Sequence, residues 1–202
     1  DDGEGGGTIS DDDEPTVAAS IADATLSEGN SGQKSASFVV SLSGPATQET
    51  RIDYATANGT ASAGSDYATT AGTLVIPQGA SSGTISVAVL GDTAVEADET
   101  FVVNLSNAYG ATISDGEAQG TITNDDVPAL AIADARLNEG SSGSANMSFA
   151  VTLSAAAPFA VTVEYTTANG SATAGEDYTT SSGTLTFTAG QTAQAGVYRF
   201  EW

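Results

Sequence analysis

Histidine and cysteine are both missing from this 202-residue chain, and a large part of enzyme chemistry goes with them. There is no imidazole to act as a general base or metal ligand and no thiolate to act as a nucleophile. Neither a disulfide nor a thiolate or imidazole zinc site can form. Basic residues are almost as scarce, with Lys+Arg at 4 against Asp+Glu at 26, a formal net charge of −22. Clustered Lys and Arg are what neutralise a phosphate backbone, so nucleic acid is excluded as a partner and anionic membrane surfaces are disfavoured. No basic leader with an apolar core opens the chain, and no run of about 18 apolar residues occurs in it. The expectation is therefore a segment with no signal peptide of its own and no direct membrane insertion.

What remains is carboxylate chemistry on a chain able to fold. Hydrophobic residues make up 40% of the sequence, enough for a sizeable core. An excess of carboxylates attracts cations, and hard oxygen ligands suit calcium or magnesium better than zinc or copper. A Cys-free, Lys-poor composition rich in Gly, Ser, Thr, Ala and Asp is common among secreted bacterial surface proteins. It points to an extracellular or cell-surface location.

The chain is organised by a repeat. Ile21-Ala22-Asp23-Ala24-Thr25-Leu26-Ser27-Glu28-Gly29 returns as Ile132-Ala133-Asp134-Ala135-Arg136-Leu137-Asn138-Glu139-Gly140, an offset of 132 − 21 = 111. At that offset Asn58-Gly59 meets Asn169-Gly170, and Gly64-Ser65-Asp66-Tyr67 meets Gly175-Glu176-Asp177-Tyr178. Between Ile21 and Gly79, 30 of 59 positions are identical to their partners. Gly7-Thr8-Ile9-Ser10-Asp11-Asp12-Asp13 parallels Gly120-Thr121-Ile122-Thr123-Asn124-Asp125-Asp126. The expected domains are thus 1–15, the tail of a preceding repeat; 16–126, a complete repeat; and 127–202, a second repeat truncated or altered after about residue 190, where the correspondence fails.

Within the complete repeat the apolar period is two. Phe38, Val40 and Leu42 alternate with polar or outward residues, as do Ile85, Val87 and Val89, and Phe101, Val103 and Leu105. Turn signals such as Asn58-Gly59 and Pro77-Gln78-Gly79 lie between the runs. About seven short strands predict an all-β fold, an immunoglobulin-like antiparallel β-sandwich in tandem repeats.

Seven acids of this repeat, Glu28, Asp66, Asp92, Glu96, Glu99, Asp125 and Asp126, fall at strand ends or in connections. In a sandwich, alternate connections return to one end, where such carboxylates can converge on a cation. Calcium takes six to eight oxygens. The same distribution would also serve to solvate loops. The recurrence of Glu28 as Glu139 and of Asp66 as Asp177 favours a site.

The ordered set Leu26-Ser27-Glu28-Gly29, Asn58-Gly59 through Gly64-Ser65-Asp66-Tyr67, Gly72-Thr73-Leu74, Asp92 through Glu96-Ala97-Asp98-Glu99-Thr100-Phe101, Gly120-Thr121-Ile122 and Asp125-Asp126 resembles the Calx-beta domain. Such domains are sandwiches known from sodium–calcium exchangers, integrin β4 and bacterial surface or adhesion proteins. The resemblance implies Ca2+ as the bound ion and Glu28, Asp66, Asp92, Glu96, Glu99, Asp125 and Asp126 as ligands. It also implies a partial second site at Glu139 and Asp177. Gly91 and Asn124 stand where calcium-sensing members carry acids, which implies fewer ions or weaker binding.

The function expected is a calcium-binding structural or adhesive module in a surface-exposed array. Its partners are calcium ions, neighbouring repeats of the same protein and surface protein or carbohydrate ligands, and binding stiffens the array at the Asp125-Asp126-Val127-Pro128 junction. The alternatives are a non-metal sandwich that binds carbohydrate or protein, and a regulatory calcium sensor of a membrane protein. Catalysis, for instance by a glycosidase pair such as Glu96 and Glu99, is not expected, because no substrate-binding arrangement accompanies the acids.

Overall fold

The computed structural model describes residues 17–138 and 140–201, so the expected tail at 1–15 lies outside the described residues. Every regular element described is a strand, and the chain divides into two compact units.

The first unit contains β1 (Val17–Ile21), β2 (Ala24–Ser27), β3 (Gly32–Leu42), β4 (Thr50–Asn58), β5 (Ala71–Ile76), β6 (Ser82–Gly91), β7 (Glu99–Tyr109), β8 (Ala111–Asp115) and β9 (Glu117–Thr123). They form two sheets, in the orders β6-β3-β1-β8 and β2-β9-β7-β4-β5. Phe38, Val40, Ile85, Val87 and Val89 from the first sheet share one core with Ile52, Ile76, Phe101, Val103 and Ile122 from the second. This is an immunoglobulin-like β-sandwich, and the period-two pattern builds it directly. In β3, Phe38, Val40 and Leu42 are buried while Val39 and Ser41 face out, as the pleat requires.

The unit has nine strands where the sequence predicts about seven, and two pairings are parallel, β1 with β8 and β2 with β9. The extra strand β8 accounts for part of the count, and the parallel pairings arise at the amino-terminal edge, where the chain changes sheets between β1 and β2. The Ala22 amide donates to the Val39 carbonyl of β3 at 3.0 Å. One residue on, the Asp23 carboxylate accepts the Gln119 amide of β9 at 2.7 Å. The crossing is thus tethered to each sheet in turn. β1 and β2 are short and rich in small residues, so their pattern does not announce two strands.

An aromatic cluster fills the middle of the core. The Tyr67 ring stacks on Phe101 with centroids 4.4 Å apart and planes 15° apart. Phe38 meets Phe101 edge-on at 5.8 Å and 72°, both favoured geometries. Phe101 lies opposite Gly120 on β9, where a Cβ would come within 2.5 Å of the ring.

The second unit contains β10 (Leu130–Ile132), β11 (Ser144–Leu153), β12 (Val161–Thr166), β13 (Ser182–Phe187) and β14 (Ala193–Glu201). They form one sheet ordered β10-β11-β14 and a second of β12-β13. The registers repeat those of the first unit. Ser41↔Ser82 becomes Thr152↔Ala193, and Thr50↔Ile76 becomes Val161↔Phe187, each position displaced by 111. Although sequence identity is lost after Gly190, β14 occupies against β11 the place that β6 occupies against β3. Antiparallel pairing is made by the backbone, so the altered side chains do not disturb it. The apolar core of this unit is small, formed by Val151, Leu153 and Phe187 with Val161, Val163 and Leu185 packed against them.

Candidate metal centre

The parallel pairing of β2 with β9 decides where the first acids meet. The two strands run in the same direction in the register Ser27↔Thr123, so the residues that follow each emerge side by side. The Glu28 amide extends the ladder by donating to the Thr123 carbonyl at 3.3 Å. Glu28 therefore stands next to the exit from β9. The carboxylate oxygens of Glu28, Asp125 and Asp126 all come within 4.8 Å of one another. Glu28 is 5% exposed and Asp126 6%, while Asp125 faces solvent.

A second group forms from different elements. The Asp66 carboxylate accepts the Ser62 amide at 2.6 Å, closing the turn that carries Gly64 at φ +98°. The Leu90 amide donates to the Asp66 carbonyl at 2.9 Å, which ties this turn to the end of β6. The preceding loop is pinned to the start of β7. The Ala61 amide donates to the Thr100 carbonyl at 2.8 Å, and the Thr100 amide donates to the Thr60 hydroxyl at 2.8 Å. Asp66 is thereby brought to Glu99, the first residue of β7, and to Glu96 in the connection before it. These three carboxylates also lie within 4.8 Å of one another, each half-buried.

The seven acids singled out by sequence thus divide into two groups of three, with Asp92 exposed and outside both. Asp177 sits in a copy of the Asp66 turn, its carboxylate accepting the Thr173 amide at 2.7 Å. It is exposed, and Glu139 lies outside the described residues.

Two carboxylates at this spacing repel by roughly 3 kcal/mol at an effective dielectric near 20. Groups of three, set partly out of water, fit a hard divalent cation. Every donor is an oxygen, as calcium requires.

Three further residues position the site in ways their sequence context does not show. Asn124 bridges the acidic connection to the exit, its side-chain amide donating to the Asp126 carbonyl at 2.8 Å and its oxygen accepting the Glu96 amide at 3.4 Å. Asn58 accepts the Ala63 amide at 3.1 Å and the Tyr67 hydroxyl at 2.6 Å, joining the Asp66 turn to the aromatic cluster. In the sequence the Asn58-Gly59 pair reads as a turn signal and as part of the Calx-beta set, with no sign of this bridging role. Lys34, the only lysine of the chain, donates to the Ser27 carbonyl at 2.9 Å, one residue before Glu28. Gly91 has a steric explanation, since a Cβ there would run into the Gly29 carbonyl oxygen.

The chain is similar to known proteins over much of its length. The sequence model of the Calx-beta domain matches residues 11–127 and again residues 123–197. Sodium/calcium exchanger 1 of Canis lupus familiaris is 37% identical over 93 residues, 46% of this chain and 9% of the exchanger. Sodium/calcium exchanger 3 of Homo sapiens is 41% identical over 69 residues, 34% of this chain and 7% of the exchanger. The chain thus corresponds to less than a tenth of the length of these relatives. Among solved structures, CBD12 from CALX1.2 is similar over 91% of this chain and 75% of that chain, with a TM-score of 0.51 and 26% identity.

Proposed function

The chain belongs to the Calx-beta domain family, and we propose that its complete repeat, residues 16–126, binds calcium at one end of the sandwich. Glu28, Asp125 and Asp126 hold one ion and Asp66, Glu96 and Glu99 a second. Asp92 adds negative potential from outside both groups. The observation that carries this reading is the convergence of six carboxylates from four separate segments into two groups of three, each spanning no more than 4.8 Å. No catalytic role is assigned to these acids. Residues 127–202 are a second repeat in which Glu139 and Asp177 mark a partial site, and residues 1–15 are the end of a preceding one.

Calcium supplies the positive charge that offsets repulsion within each group. The protein supplies the positions, through the β2–β9 pairing, the Asp66 turn and the Asn124 bridge. Because Asp125 and Asp126 immediately precede Val127-Pro128, holding them against Glu28 also fixes the exit from the repeat. In an array this would limit motion at the junction with the next repeat.

Two wider settings follow from different observations. The 111-residue repeat and the proline-stiffened junction favour a structural or adhesive array with neighbouring repeats as partners. The exchanger relatives favour a regulatory calcium module within a membrane protein. An extracellular location rests on composition alone and gains no support from those relatives. Among the described residues no helix is long and apolar enough to cross a membrane.

Calorimetric titration of the full chain tests the site assignment. Two calcium ions should bind the wild type, with one lost in Glu28→Gln/Asp126→Asn and the other in Asp66→Asn/Glu99→Gln. Absence of any calcium heat in the wild type would overturn the reading. Small-angle scattering with calcium and with chelator tests the stiffening, which unchanged dimensions would contradict.

A further inference from the structure

The end of β7 breaks the alternation that builds the rest of it. Phe101, Val103 and Leu105 face the core, so a strict period of two would send Asn107 and Tyr109 inward as well. Instead the register against β4 shifts. Asp53 lies opposite Ser106 and Arg51 opposite Tyr109, which leaves one extra residue in β7. Asn107 takes up this bulge at φ +47°, the one non-glycine residue with positive φ among the described residues. Its side-chain amide donates to the Asp53 carboxylate at 3.1 Å. A bulge re-aims the side chains beyond it, and this one turns Tyr109 out to solvent, where it is 61% exposed.

The backbone beneath the ring is fixed. The hydroxyl of buried Thr50 donates to the Gly110 carbonyl at 3.4 Å, and a Cβ at Gly110 would lie 3.1 Å from the Glu49 carbonyl oxygen. Across from Tyr109, the Arg51 guanidinium meets Glu49 through Nε and Nη2, each 2.7 Å from the same oxygen, Oε1. Gln48, Glu49, Arg51 and Tyr109 line an open depression of about 450 Å³. It lies at the start of β4 and the end of β7, whereas Glu99 of the second acidic group begins β7. The fold does not demand these side chains. The second unit repeats the β4–β5 register with Phe159, Ala160 and Thr162 at the positions of Gln48, Glu49 and Arg51.

We propose that this face of the first unit is a carbohydrate subsite for a neutral hexose with equatorial hydroxyls, as in a cellulose- or chitin-type chain. Such a ring presents C–H bonds on its faces and hydroxyls around its edge. A C–H face packs on Tyr109, an apolar ring with a polar tip. Vicinal hydroxyls meet the Arg51–Glu49 pair, because the guanidinium has further N–H donors and Glu49 Oε2 is an acceptor. Charge selects against other occupants. The pair cancels its own charge, so nothing here draws phosphate, sulfate or a uronic acid to a chain of net charge −22. A protein partner would need an apolar centre kept from water, and an ion pair with side chains 60% and 52% exposed stands in that place. The subsite requires no calcium, so it stands apart from the metal reading.

Cellohexaose and chitohexaose, each titrated into the full chain in chelator and followed by amide NMR, test the proposal. At least one should bind saturably, with shifts centred on the start of β4 and the end of β7. Tyr109→Ala and Arg51→Ala should each weaken that binding by at least about tenfold. Both side chains lie largely in solvent, so the melting temperature should stay that of the wild type. Tyr109→Phe keeps the ring and should keep the binding. No binding of either sugar, binding that Tyr109→Ala leaves intact, or shifts centred elsewhere overturns the proposal. So does a self-associated chain that Tyr109→Ala renders monomeric in sedimentation and neither sugar disperses, because the face would then join two copies.

Discussion

The Glu28 amide donates to the Thr123 carbonyl at 3.3 Å, one step beyond the last pair of the parallel β2–β9 ladder. That bond sets a carboxylate from the first connection of the repeat beside the two that leave its last strand. It makes the Glu28, Asp125 and Asp126 group a consequence of sheet topology rather than of loop conformation.

Glu28→Gln should therefore have opposite effects with and without calcium. Removing one charge from a group held within 4.8 Å relieves repulsion, so the calcium-free protein should melt at a higher temperature. Calcium affinity should fall by at least about tenfold, or about 1.4 kcal/mol. Paired calorimetry and thermal melts check both directions.

The aromatic cluster gives a prediction independent of metal. Phe101 is fully buried between Tyr67 and Phe38, and Phe101→Ala should destabilise the protein by about 3–5 kcal/mol. Tyr67→Phe keeps the stack but loses the hydroxyl bond to Asn58, at a cost of about 1 kcal/mol. Denaturant unfolding of the first unit measures both.

Tyr67 also sets an alkaline limit. Burial raises its phenol above the ordinary value of 10.0, and the Asp66 carboxylate pushes the same way. Above pH 10 the unfolded phenol loses its proton while the folded one keeps it. The native state then binds more protons, and stability falls as pH rises towards the folded value. Below that window the contribution is complete. Melts at increasing pH should show this decline, and it should be smaller in Tyr67→Phe.

Two non-acidic positions near the site should behave differently. Gly91→Asp should destabilise the fold without strengthening calcium binding, because its Cβ meets the Gly29 carbonyl. Asn124→Asp adds charge where the side chain already faces both Glu96 and Asp126. It should lower stability without calcium and raise calcium affinity, as melts and titrations of the two variants would show.

Much of this organisation is legible in the sequence, for identifiable reasons. Phe38, Val40 and Leu42 alternate because one face of β3 is buried, so the sandwich is written in their spacing. The 111-residue offset carries over to the strand registers without slippage. The split of the amino-terminal edge is not legible, because it depends on the Asp23 carboxylate reaching the Gln119 amide, 96 positions away. Nor could sequence sort the acids into two groups with Asp92 outside them. That division depends on the Thr60–Thr100 and Asn124–Glu96 contacts between segments distant in the chain.

A thermal melt of the full chain in calcium, in magnesium and in chelator, beside Asp125→Ala/Asp126→Ala, tests the central claim most directly. The account predicts a rise in melting temperature with calcium, a smaller one with magnesium, and loss of most of the calcium effect in the double variant. Identical melts in all three conditions would contradict it and leave the carboxylates as solvating groups on a plain sandwich.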